Sequence, residues 1–157
     1  TVEEGVEWFS VLIAINAAVV LILQLPVSLL MERISNETAV YAGVMVLALG
    51  LVVFNFADAP WLFVTGIIVF TMGEILIMPL SGVLIDQIAP EDQKGTYMGA
   101  AQLRTIGSFI GPILGGWMLT NMDDSMYILL ACITCVSLVI YRLAFQIQVK
   151  STSQIGS

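Results

Sequence analysis

The chain has 157 residues, 59% of them hydrophobic and 11% charged, with a mean hydropathy of +0.98. Soluble domains run at about 45–50% apolar and about 25% charged, so a water-soluble globule is excluded. A net charge of -7 excludes a basic nucleic-acid footprint, and the lack of histidine removes imidazole as catalytic base or metal ligand.

Five segments are long enough to cross about 30 Å of hydrocarbon at about 1.5 Å per residue. They cover residues 8–30, 40–57, 61–85, 96–119 and 126–145. The connections at 32–38, 58–60, 89–94 and 121–125 are short and polar, so successive helices run antiparallel. The expectation is an all-α, multi-pass membrane protein in the plasma membrane, with the lipid bilayer as its first partner. Arg33, Lys94, Arg142 and Lys150 fall on one side; Glu3, Glu4, Glu7, Asp58, Asp123 and Asp124 fall on the other. The positive-inside rule then places the first and third loops and the C-terminus in the cytoplasm. An outside N-terminus at Thr1, with no basic leader, predicts a part of a longer protein.

In the first helix, Asn16 and Gln24 face either a partly polar cavity or neighbouring helices, and Pro26 predicts a kink. The second and fifth helices are almost wholly apolar, which suits a bundle periphery. Cys132 and Cys135 form a C-x-x-C within an apolar run and read as small polarisable residues rather than a redox or zinc pair. The third helix differs. Thr71, Glu74, Met78 and Ser81 recur at helical spacing on one face, and Pro79 predicts a bent or broken helix of the kind that lines transport sites.

Glu74 lies near mid-membrane, where an acidic side chain costs about 2.5–3.5 kcal/mol on insertion scales. It must therefore face protein or water. Two readings stand: a carboxyl that takes and releases a proton or contacts a cation, or a structural carboxyl that is hydrogen-bonded or paired with Arg104. Arg104 reads as a structural or gating charge, as does Asp86 at the cytoplasmic edge, where Glu91, Asp92 and Lys94 complete a charged border. No carboxylate pair at helical spacing lies within the spans, so an enzyme is not expected, nor is a cofactor or metal.

The fourth helix carries Gly95, Gly99, Gly107, Gly111 and Gly115 on a stride of four, with Ser108, Pro112 and Gly116 beside them. In a membrane such a ridge forms a groove for close backbone packing. Gly107 to Gly116 has the form G-x-x-x-G-P-x-x-G-G, which resembles the antiporter motif of the major facilitator superfamily. The first loop resembles that family's loop signature in worn form: Ser28, Glu32-Arg33 and Ser35 hold its places, and Asn36 and Glu37 replace its basic pair. Gly73-Glu74 with Pro79, then Ala89-Pro90 and Lys94-Gly95 with Gly99, are similar to bacterial drug-efflux members.

The resemblance implies helices eight to twelve of a twelve-helix fold, with the N-terminal half and one further helix outside this chain. It implies that the eighth and eleventh helices pack on that half through Gly107, Gly111, Pro112, Gly115 and Gly116. The tenth, carrying Thr71, Glu74 and Ser81, would face the central cavity. The implied function is secondary active transport, as proton-coupled efflux of small amphipathic compounds or drugs. The alternatives are a carrier of sugars, peptides or metabolites on the same scaffold, or a membrane scaffold that does not transport.

Overall fold

The computed structural model describes residues 2–31, 33–122 and 125–155, with side chains at 4–31, 33–80, 82, 85–86, 89–122 and 125–143. Among these residues six α-helices follow one another: α1 (Val2–Met31), α2 (Asn36–Asn55), α3 (Pro60–Ile88), α4 (Lys94–Ala101), α5 (Arg104–Asn121) and α6 (Ser125–Ile155). A 3₁₀ turn, Glu91–Gln93, leads into α4. No strand occurs among the described residues. Among the described residues, four segments are long and apolar enough to cross a membrane: Glu4–Met31, Asn36–Asn55, Pro60–Leu80 and Ser125–Leu143.

Local chemistry sets the helix ends. Ser35 caps α2, its hydroxyl accepting from the Thr38 amide at 3.2 Å. Pro60 opens α3, at the position where a missing N–H costs nothing. α3 continues as one helix through Pro79, which removes the broken alternative there, and α1 continues through Pro26. One lost backbone bond is insufficient to interrupt either helix while the flanking turns stay bonded.

The expected fourth span does divide. α4 and α5 meet at Gln102 and Leu103, where amide-to-carbonyl bonds tighten to a three-residue reach: Gln102 to Gly99 (3.1 Å), Leu103 to Ala100 (3.0 Å) and Thr105 to Gln102 (2.8 Å). The two helices are thus separated by a tightened turn at residues 102 and 103.

The packing centre is α2, which contacts α3 most extensively, then α6; α1 packs on α3. Ala39, Val40 and Val44 of α2 are buried with Leu80 of α3, and Met31, Ile77, Leu138 and Tyr141 close around them. Close approach of α2 and α3 depends on glycines. A Cβ on Gly50 would lie 2.7 Å from the Phe70 amide nitrogen, and one on Gly73 would lie 2.6 Å from that of Leu47. Phe54 caps this end, with ring centroids 6.2 Å from Phe63, 6.4 Å from Phe70 and 5.7 Å from Tyr127. The second helix, read as peripheral, thus has one face fully covered by α3 and α6. The ridge of α5 is open, with nothing within 4 Å of a Cβ built on Gly107, Gly111, Gly115 or Gly116.

Candidate functional site

The α1–α3 contact carries the polar centre of the bundle. Thr71 is fully buried, its hydroxyl donating to the Ile67 carbonyl one turn back at 2.6 Å. That leaves the Thr71 oxygen free to accept, and Asn16 of α1 donates to it through Nδ2 at 2.7 Å. The second N–H of the same amide group donates to Glu74 Oε2 at 3.3 Å. The donor pattern is self-consistent: the hydroxyl's one hydrogen is committed to Ile67, and an ionised carboxylate can only accept. The amide nitrogen of Asn16 is therefore the group that must face both.

This places Thr71 and Glu74 together, as their spacing predicts, with Thr71 buried and Glu74 half-buried. Met78, on the same helix, is exposed. The Ser81 side chain lies outside the described residues. The partner that sequence reasoning did not connect to Glu74 is Asn16. α1 and α3 are both joined to α2 by short connections and so run parallel. Asn16 lies about 22 Å before the Met31 end and Glu74 about 21 Å before the Ile88 end at 1.5 Å per residue, and this matched depth was the signal available.

An apolar cavity of about 280 Å3, walled by Phe9, Phe63, Ile67 and Tyr127, includes Asn16 in its lining. It shares Phe9, Leu12 and Phe63 with a second cavity of about 350 Å3 near the start of α3, where Asp58 stands beside Trp8. An apolar path with a carboxylate near its outer part and a polar group at its inner part suits a small molecule with both characters.

The charged border forms a second cluster. Lys94 Nζ reaches Asp86 Oδ1 at 3.0 Å and Glu91 Oε1 at 3.2 Å, tying the end of α3 to the start of α4. Hydrogen bonds to Asp86 first, then Glu91, hold the Lys94 ammonium above its ordinary value of 10.5. Because the fold favours the charged form, this contribution is complete below that ordinary value and is lost as pH rises through the elevated one. Lys94→Met should release the clasp, so that amides 94–101 exchange with solvent about twofold to fivefold faster, the scale of exposed ion pairs. Unchanged exchange would show that the pairs contribute nothing.

Arg104 is the first residue of α5 and is exposed, as are Gly107, Gly111, Pro112 and Gly116, with Gly115 intermediate. Cys132 and Cys135 are exposed and unlinked. Among the described residues no group of histidine, cysteine or carboxylate side chains could hold a metal ion.

The profile of the Major Facilitator Superfamily matches residues 3–156. An uncharacterised MFS-type transporter of Escherichia coli K12, YdeE, is 33% identical over 126 residues, covering 79% of this chain and 32% of the relative. The similar protein YqjV of Bacillus subtilis 168, also an uncharacterised MFS-type transporter, is 30% identical over 115 residues, 73% of this chain and 28% of its own length. A Na(+), Li(+), K(+)/H(+) antiporter of Planococcus maritimus is 30% identical over 117 residues, covering 69% and 28%. The chain spans about a third of the length of the curated relatives it matches.

Proposed function

From the premise that this chain belongs to the major facilitator superfamily, whose members are multi-pass membrane transporters, we propose that it forms part of a proton-coupled exporter of small amphipathic compounds. Glu74 is the group that takes up and releases the proton; Asn16 holds its carboxylate in place, and Thr71 in turn anchors Asn16. The observation that carries this reading is the Asn16–Thr71–Glu74 cluster, a carboxyl at mid-membrane held by one amide and unpaired with a cation in its hydrogen bonds. An intramembrane carboxyl is costly and marks ion and proton pathways. The apolar cavity lined in part by Asn16, and the one adjoining it near Asp58, suit an amphipathic cargo. The relative named as a cation/proton antiporter supports exchange against protons.

In this reading the ridge of Gly107, Gly111, Pro112, Gly115 and Gly116 receives helices of the N-terminal half, and Arg104 and Asp86 act at the cytoplasmic gate. The C-terminus is cytoplasmic, as the basic residues indicate. A second reading has a specific observation in its favour: the oxygens of Thr71 and Glu74 lie close enough to share one donor, and a monovalent inorganic cation could take that donor's place.

The test is accessibility at Thr71. In the complete polypeptide carrying Thr71→Cys, a membrane-impermeant maleimide should label the thiol about tenfold faster under one direction of an imposed pH gradient than the other. A shift from a minor to a major state produces a change of that size. A non-transporting scaffold predicts equal rates. Cation exchange predicts that added Na+ or K+, with no pH gradient, reproduces the change.

A further inference from the structure

The Asn16 amide is held through its nitrogen. Nδ2 donates to Thr71 Oγ1 at 2.7 Å and to Glu74 Oε2 at 3.3 Å, and Oδ1 takes part in neither bond. Asn16 is half-buried and lines the cavity of about 280 Å3. Among the described residues no buried side-chain oxygen or nitrogen lacks a partner, so Oδ1 is reachable from that cavity. The wall around it is largely apolar, from Phe9, Phe54, Phe63, Ile67 and Tyr127.

An amide group has one oxygen that accepts and one nitrogen that donates, and the two are nearly equal in size. Which of them meets the cavity depends on what the other must face on α3. An ionised Glu74 only accepts, so Nδ2 faces α3 and the cavity receives the acceptor. A protonated Glu74 has a hydrogen to give. A half-turn of the amide about its Cβ–Cγ bond brings Oδ1 to the place of Nδ2, within reach of both α3 groups. Glu74 then donates to Oδ1, and the Thr71 hydroxyl swings its hydrogen from the Ile67 carbonyl to the same oxygen. Ile67 keeps its helical partner, since α3 is continuous there. Nδ2 is left facing the cavity with hydrogens to donate.

We propose that Asn16 recognises the cargo, and that the cargo is an uncharged aromatic molecule with an N–H or O–H donor, of the indole or phenol class. This deepens the reading above and rests on it in one respect, that Glu74 takes up the proton. Cargo binds while Glu74 is ionised and loses its acceptor when the proton arrives. Proton and cargo thus exclude each other without meeting on one atom. Of the elements packed on α3, α1 carries no titratable residue from Trp8 to Met31 and α2 none from Ala42 to Asn55, while α4 brings Lys94 and Tyr97 at the Ile88 end. Tyr127 of α6 is the titratable group on the cavity wall.

The complete polypeptide in detergent is titrated with 5-fluoroindole, which only donates, and 4-fluoroacetophenone, which only accepts. Both stay uncharged, and binding is read by fluorine NMR against empty micelles. Protonation of Glu74 is followed in parallel through the infrared carbonyl band that Glu74→Gln lacks. At about pH 8, where carboxyls are ionised and phenols neutral, the wild type should bind the indole about tenfold more tightly than the ketone. That is the scale of one hydrogen bond left unmade. As pH falls and the band grows, the preference should invert by a similar factor. In Glu74→Gln, whose side-chain oxygen still accepts from Asn16, preference for the indole should hold throughout. Equal affinities at the higher pH overturn the proposal, as does an inversion that persists in Glu74→Gln. A band that grows without inversion overturns it while leaving proton uptake by Glu74 intact. A band that never appears removes the reading on which it rests.

Discussion

In proton-driven vesicles containing the complete polypeptide, Glu74→Gln is expected to lower flux by about 100-fold or more, the lower end of what a positioned proton-transfer group contributes. The amide keeps the size and polarity of the carboxyl but cannot ionise between turnovers. Its oxygen still accepts from Asn16, so the α1–α3 contact should survive and the variant should insert and fold. The change therefore separates proton handling from architecture. Exchange of substrate across the membrane without net proton movement should persist, since that step needs the site to reorient but not to discharge. Proton-driven flux at the wild-type level would remove Glu74 from the mechanism.

Asn16→Leu makes the complementary case. It strips the donor from both Thr71 and Glu74, leaving Thr71 with only its bond to Ile67 and the half-buried carboxylate unsatisfied. The expected cost is about 1–3 kcal/mol for the unsatisfied carboxylate, read as a lower unfolding temperature in detergent, where Glu74→Gln shows none.

Gly73→Val carries the second large effect. A Cβ at residue 73 meets the Leu47 nitrogen at 2.6 Å, the Gly43 carbonyl oxygen at 2.8 Å and the Leu47 Cα at 2.8 Å. All three are backbone atoms of α2 and cannot rotate aside, so the two helices must separate. Overpacking of this kind costs about 1–3 kcal/mol, and more where the backbone has no room to shift. The unfolding temperature of the detergent-purified protein should fall, and Gly50→Val should repeat the result because its Cβ meets the Phe70 backbone at 2.7 Å. Gly111→Ala supplies the contrast. Nothing lies within 4 Å of its Cβ, so stability of this helix set should be unchanged. Should Gly73→Val prove neutral, the tight α2–α3 crossing is wrong.

The two glycine sets bear on how far primary structure could be read. The α5 ridge is conspicuous because its glycines repeat on one stride, and periodicity is what a sequence displays. Gly43, Gly50 and Gly73 are scattered over two helices. They become a packing device only when α2 and α3 lie side by side, since a backbone-to-backbone approach has no signature within either strand of text. For the same reason α2 looked featureless: an all-apolar helix does not indicate which of its faces is lipid and which is protein.

Composition, span length and loop charge were sufficient for the membrane class, because the hydrocarbon thickness and the cost of a charge within it act on each segment alone. The G-x-x-x-G-P-x-x-G-G run carried the family resemblance that the profile match bears out. The intramembrane cost of a carboxylate singled out Glu74, and helical spacing set Thr71 beside it. Tertiary structure decided who answers Glu74. Hydrogen bonds act over about 3 Å, and Asn16 comes within that distance only because parallel α1 and α3 pack at matched depth. The chain order alone separates the two residues by 58 positions.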